Sequence, residues 1–503
     1  MGTDPTSPPR PPSPRGYAAL LPWLALIALA VACAALLFGA ERERAATYLL
    51  PLAVAGVAYP FAVRLAPRRA AFATGLLLRV SAVLAFPLLS DDVYRFLWDG
   101  ALWWAGLHPL DAVPEALAAG AAGSDGEAFV DAHRGLLAAM NSPRYYTVYP
   151  PLAQAVFAAA AALSAKAYGG SVALKAVLLV GELGAYALLR RLGPTRGGPS
   201  PATLYWLHPL PIVELVGNAH FEGLALLGLL AALYLLRENP PSGPSVAPAR
   251  PGVERTRGRL APPRLIAAGM ALGGGALVKL VPLLAAPALG LWALWRNRAA
   301  LGGGGVDRRA LGGFALLAAA TTATLALGFA GFFAGADVRG FGASLDLYFR
   351  SFEFNGSLYV LARAAGEAYR GWNWIAVVGP SLAVAGALAV LAISAARAWR
   401  GLDLAETLLW CFAAYLACAT TVHPWYFTYL VGLGALTRYR WPLVLGFAGF
   451  LSYLAYGTPD TQVPSWATAL EYGPVIALAV AEARTGRDVL GARVRRWTPR
   501  RAS

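Results

Sequence analysis

The sequence predicts an all-α protein, a polytopic bundle of about twelve to fourteen membrane-spanning helices, and two observations carry that prediction. The first is composition. Of 503 residues, 58% are hydrophobic and only 14% are charged, where soluble domains carry about a quarter. The second is arrangement. Apolar runs recur along the whole chain, separated mostly by short basic connectors. No stretch is polar enough to form a separate soluble domain, so residues 17–483 read as one membrane domain.

The charge balance supports this class. The chain has 42 Lys+Arg against 27 Asp+Glu, a net +15. Such an excess can serve nucleic acid. Here the cations cluster in loops between apolar runs, as the positive-inside rule requires, so membrane lipids are expected partners and nucleic acid is not. Cys33, Cys411 and Cys418 lie inside apolar runs without a CxxC pair, which indicates neither a disulfide framework nor a metal site.

The apolar runs cover residues 17–38, 46–65, 72–89, 151–165, 172–189, 201–217, 223–236, 265–278, 280–295, 310–333, 372–396, 404–421, 426–436, 441–456 and 467–481. Several fall short of the ~20 residues of a lipid-facing span. Inside a bundle, protein covers such helices. Residues 1–16, rich in Pro and Ser, read as a disordered cytoplasmic tail. The run from Tyr17 reads as a retained span rather than a cleaved signal. Basic connections at 64–69, 190–196, 237–264, 296–309, 397–400 and 438–440, with the basic tail 484–503, are assigned to the cytoplasm. The 237–264 loop, rich in Pro and Gly, reads as a flexible linker. Both termini then lie inside, which demands an even number of crossings, and the fifteen runs are one too many. The conflict falls between 151 and 189, where two runs are written and the charges allow one crossing.

This orientation collects four polar, aromatic-rich segments on the outer side: 91–149, 217–222, 335–371 and 423–426. Their convergence is the main functional clue. SDDVYRFLWDG (90–100) follows an apolar run directly. Two adjacent carboxylates at a membrane boundary repel each other and are disfavoured by desolvation, so Asp91 and Asp92 are candidates for a general base, a metal ligand or a proton site. The plainer reading is helix capping by Ser90, Asp91 or Asp92, and the two roles are compatible. Tyr94, Arg95, Trp98 and Asp99 of the same segment are candidate substrate contacts. In YTVYPPLAQ (146–154), Pro150 and Pro151 punctuate a helix entry, with Tyr149 and Gln154 beside them as further candidates. In HPLPIVELVGNAHFEG (208–223), Glu214, Asn218, His220 and Glu222 interrupt an apolar segment. Asn218, His220 and Glu222 suit a sugar or a phosphate, and the set is incomplete for a metal. Lys279, between two apolar runs, either snorkels to the interface or meets a phosphate. FRSFEFNGSLYVLAR (349–363) offers Arg350 and Asn355; its Asn355-Gly356-Ser357 glycosylation pattern is too short to carry weight. TTVHPWYF (420–427) places His423, Trp425 and Tyr426 at a helix break, suited to sugar stacking, phosphate contact or an aromatic belt. No nucleotide-binding motif is present.

In order, SDDVYRFLWDG, NSPRYYTVYPPL, ELVGNAHFEG, LVKLVPLL, FNGSLY and VHPWY resemble the motifs of GT-C class membrane glycosyltransferases. More narrowly, they resemble those of bacterial polyprenyl-phosphate-mannose-dependent mannosyltransferases. The resemblance implies a GT-C bundle in the bacterial inner membrane, with a large first extracytoplasmic loop (91–149) carrying short interfacial helices. It implies a polyprenyl-phosphate sugar donor, a lipid or glycan acceptor and inverting transfer. Asp91 or Asp92 would be the base, with Arg95, Lys279, Arg350 and His423 as candidates to balance the leaving phosphate. A divalent cation shared by Asp91, Asp92 and the phosphate is compatible with this chemistry but not required. The sequence departs from the pattern in its extra spans before the loop and in Glu222, where relatives commonly carry Asp. A transporter or flippase is the alternative, since intramembrane Asp, Glu, Lys and His also mark ion paths, but no inverted repeat is evident.

Overall fold

The computed structural model describes residues 14–164, 166–193, 199–237, 260–299, 308–336 and 338–485. Most of the expected N-terminal tail, the body of the 237–264 linker and nearly all of the basic C-terminal tail lie outside the described residues. Among those described, the chain is helical throughout. No strand forms, and only isolated bridges tie Phe354 and Asn355 to Thr421.

Among the described residues, five helices are long and apolar enough to cross a membrane: Ala19–Gly39, Ala45–Leu65, Ala167–Leu192, Ala310–Phe333 and Ile375–Trp399. The pair Pro211–Gly217 and Glu222–Leu236, bent by 113°, makes a sixth if taken as one broken span. Shorter apolar helices, among them Leu404–Cys418 and Trp441–Gly457, complete the bundle. The outer faces of the long helices are apolar: Leu50, Val57 and Phe61 are exposed on one, and Val384, Leu388 and Leu391 on another. In water such faces would be anomalous; against lipid they are the expected solvent boundary. Small residues let helices close on one another. A Cβ at Gly228 would meet the Ala271 carbonyl oxygen at 2.7 Å, so Glu222–Leu236 and Pro262–Ala276 pack backbone to backbone.

The crowded stretch 151–189 resolves into two unequal helices. Pro151–Leu163 has 13 residues, about 20 Å of helix, well short of a ~30 Å hydrocarbon core. It starts beside Tyr149. Just after it ends, the Tyr168 hydroxyl donates to the Leu84 carbonyl at 3.0 Å. Both of its ends therefore sit at the end of the bundle that carries Leu84 and Asp92. It packs against Asp92–Trp104, where Trp104 Nε1 donates to the Ala158 carbonyl at 2.7 Å. Ala167–Leu192 is the helix long enough to cross, and it finishes on Arg190 and Arg191.

Two buried cations lock the helix Arg68–Leu84 that leads into the aspartate pair. Arg79 pairs with Glu182 at 2.9 Å, donates to the Trp206 carbonyl at 2.7 Å and lies 3.8 Å from the Trp206 ring. Lys175 donates to the Ala82 carbonyl at 3.1 Å and also to that of Ala85. A buried charge is tolerated only with such partners.

Candidate active site

Asn218 fixes the segment that precedes the aspartates. Its Oδ1 accepts the backbone N–H groups of Leu88 at 3.2 Å and Leu89 at 3.1 Å. Asp91 occupies the N-cap position of Asp92–Trp104, but its side chain makes no capping bond. Ser90 Oγ instead accepts the Asp92 N–H at 3.3 Å. Asp91 turns to Arg42, 2.6 Å away. Asp92 takes a different set of partners: Asn141 Nδ2 donates to Oδ1 at 3.1 Å, and the Tyr149 hydroxyl donates to Oδ2 at 3.4 Å. Among the described residues no Lys or Arg touches Asp92, and its side chain is 25% exposed. The two aspartates thus face different partners, and among the described residues no cluster of three or more His, Cys, Asp or Glu is arranged to hold a metal.

The second wall is a broken helix. Pro211–Gly217 is a π-helical turn, a form that favours functional sites. Ala219 then adopts φ 63°, a left-handed conformation costly for a residue with a Cβ. The break turns His220 toward Asp92. Its Nδ1 is 2.9 Å from the Glu214 carbonyl oxygen and so carries the proton; Glu214 Oε2 is 3.4 Å away. Its Nε2 is 3.3 Å from Ser90 Oγ and 4.0 Å from Asp92 Oδ2. Glu214, fully buried, also accepts from the Tyr453 hydroxyl at 2.9 Å.

A column of rings backs this wall. His220 stacks on Trp425 at 3.6 Å, Trp425 on His423 at 4.4 Å, and His423 on Phe354 at 4.6 Å. Both faces of Trp425 are thus covered, which leaves neither for stacking a sugar. Burial pushes the His423 imidazole down to about 3; Asp92 opposes this, while His220 and Lys279 add to it.

Lys279 forms the third wall. It pairs with Glu222, and its ammonium lies 5.2 Å from the Tyr149 ring and 5.8 Å from the Tyr426 ring. Tyr149 thereby links Lys279 to Asp92.

Other sequence candidates serve the frame. Arg95 pairs with Asp99 at 2.7 Å and donates to the Tyr145 carbonyl at 2.7 Å. Gln154 Nε2 donates to Asp99 at 3.0 Å and to Thr147 at 2.9 Å. Together they shape the loop that presents Asn141 and Tyr149. Trp98 is buried edge-on to Phe129, and Tyr94 sits beside Phe86. Arg350 is exposed and paired with Asp346. Asn355, at φ 53°, donates to Glu471 at 2.9 Å and is buried. Arg42, Asn141 and Tyr453 were absent from the sequence candidates. Arg42 lies in the charged turn Glu41-Arg42-Glu43-Arg44, a signal that the aspartates opposite would have made meaningful. A separate apolar groove of about 320 Å³, lined by Tyr59, Val63 and Phe447, lies roughly 25 Å along the Ala45–Leu65 helix from Arg42 and belongs to none of these walls.

A family profile described as alpha-(1->6)-mannopyranosyltransferase, N-terminal domain, matches residues 17–295. No curated protein and no solved structure matches the chain. The matched stretch includes Asp92, Asn141, Tyr149, Glu214, His220, Glu222 and Lys279; His423 and Trp425 lie beyond it.

Proposed function

The chain belongs to this alpha-(1->6)-mannopyranosyltransferase family, and we propose that it transfers mannose from a polyprenyl-phosphate donor to the 6-hydroxyl of a glycan or glycolipid acceptor, with Asp92 as general base. The observation that carries the assignment of the base is the cation-free, partly open Asp92 carboxylate beside an Arg-neutralised Asp91. To meet an acceptor hydroxyl, Asp91 would first have to give up its guanidinium partner, whereas Asp92 has no Lys or Arg to release.

In the proposed reaction, Asp92 takes the acceptor hydroxyl proton as that oxygen attacks the anomeric carbon. The bond from the anomeric carbon to the phosphate oxygen breaks, the new glycosidic bond forms, and polyprenyl phosphate departs as a monoester. A single displacement inverts the centre, so an α product requires a β-linked donor. Lys279 is the cation placed to meet the leaving phosphate. Like Lys279 with Glu222, Arg95 and Arg350 each have a carboxylate partner, but it is Lys279 that is linked to Asp92 through Tyr149. The donor's hydrocarbon tail would lie in the membrane against the apolar helix faces. The basic connectors favour an extracytoplasmic site in the bacterial inner membrane, with both termini cytoplasmic.

The test is transfer from a short-chain polyprenyl-phosphate β-mannose to a mannoside acceptor, using purified full-length protein. Asp92→Asn is expected to lower kcat by about 10²–10⁴, the usual contribution of a general base. Asp91→Asn, at a partly exposed ion pair, is expected to cost less than about tenfold. Full transfer by Asp92→Asn would rule out this assignment of the base.

A further inference from the structure

We propose that Glu222 is a positioning residue for Lys279 that hastens departure of the phosphate product; this rests on the polyprenyl-phosphate donor proposed above. Glu222 opens the helix Glu222–Leu236 and is 1% exposed. One carboxylate oxygen meets Lys279, while the other, Oε2, is buried without a hydrogen-bond partner. Among the described residues, Glu222 is the only anion in contact with Lys279, whose side chain remains 15% exposed. A buried carboxylate is costly to leave uncompensated. A phosphate that draws Lys279 away exposes Glu222 to that cost and meets its repulsion as well.

The charges of donor and product decide what this does. The donor is a phosphodiester with one negative charge. The product is a monoester carrying about −1.5 to −2 at neutral pH. Against Lys279 alone, the product would bind more tightly than the donor and linger. Glu222 opposes the extra charge, so its effect falls chiefly on the product. Release of product commonly limits turnover, and Glu222 relieves that step without touching the reacting atoms.

The experiment uses the purified full-length protein, with short-chain polyprenyl-phosphate mannose as donor and polyprenyl phosphate as inhibitor. Glu222→Gln is expected to lower kcat and KM together, each by about tenfold, and to tighten inhibition by polyprenyl phosphate by about the same factor, while the first turnover keeps its rate as a burst. Glu222→Asp is expected to restore turnover. Equal losses in the first turnover and in kcat, with inhibition unchanged, would overturn the proposal. Should Glu222→Gln fail to fold, the wild-type enzyme decides. Inhibition by polyprenyl phosphate and by its methyl diester should then agree within about threefold, whereas a monoester more than about tenfold tighter shows that the extra charge is not opposed. If neither compound inhibits the wild type, the donor reading itself falls and takes this proposal with it, while the Asp92→Asn result stands apart.

Discussion

Arg42 reaches Asp91 at 2.6 Å and leaves Asp92 to the uncharged donors Asn141 and Tyr149. Two neighbouring side chains of one type thus receive different electrostatic surroundings, and only the fold separates them. The aspartate pair was legible in the sequence, because carboxylates beside a membrane run are rare enough to stand out. Arg42 was not, because its partner is remote along the chain and its own turn of alternating Glu and Arg reads as a self-paired connector. His423 makes a separate claim on pH. Its folded value is depressed to about 3 by burial, against about 6.5 unfolded. The unfolded chain therefore binds the extra proton first. The group's full stability contribution is present above pH ~6.5 and is lost as pH falls toward ~3, at about 1.4 kcal/mol per unit within that window. In detergent, the thermal unfolding midpoint of the wild type should fall between pH 7 and 5 more steeply than that of His423→Asn. Parallel slopes would mean that His423 is not buried neutral.

At the scale of elements, the run 151–165 shows why apolar length alone could not give the topology. A helix that crosses and a helix that lies across one end of a bundle present the same uninterrupted Ala, Leu and Phe. What distinguishes Pro151–Leu163 is the neighbour it packs on. Gly100 of Asp92–Trp104 sits where an added Cβ would stand 2.2 Å from the Phe157 carbonyl oxygen. That approach carries the loop of Asn141 and Tyr149 onto Asp92. The run 201–217 likewise has the length and polarity of one span, but it holds the short helix Pro201–Trp206 and the π turn Pro211–Gly217. Pro209 and Pro211 cannot donate to a helical ladder. Gly100→Ala tests the contact. Backbone is the obstacle, so the helices must part, at a cost of ~1–3 kcal/mol for overpacking. We expect the thermal midpoint to drop by roughly 1 °C per kcal/mol for a unit of this size, and transfer activity to fall as Asp92 moves away from Tyr149. An unchanged midpoint and rate would show that the contact has room to spare.

Over the whole molecule, the site is assembled from both halves of the chain. The family profile ends at residue 295, and Asp92, Tyr149, His220, Glu222 and Lys279 all precede that point. Yet His220 rests on Trp425 at 3.6 Å, and Glu214 accepts from Tyr453. Lys279 has Tyr426 over its ammonium. The two halves also pack along extended apolar seams, Pro262–Ala276 against Arg308–Phe333 and Ala286–Ala299 against Ile375–Trp399. Close packing of that kind, with Gly269 and Gly273 against Arg308–Phe333, holds separate membrane chains together as it holds one. A gene cut between Ala299 and Arg308, with both pieces co-expressed, should therefore give fragments that copurify and transfer mannose. The N-terminal piece alone should give no transfer although it carries Asp92 and Lys279, because His220 loses the ring that fixes it and Lys279 loses one aromatic wall. Adding Trp425→Ala to the C-terminal piece should preserve copurification, since the seams are intact, and lower transfer by tenfold or more, about 1.4 kcal/mol. Transfer by the N-terminal piece alone would show that the ring column is dispensable and that the site is complete within the stretch the family profile covers.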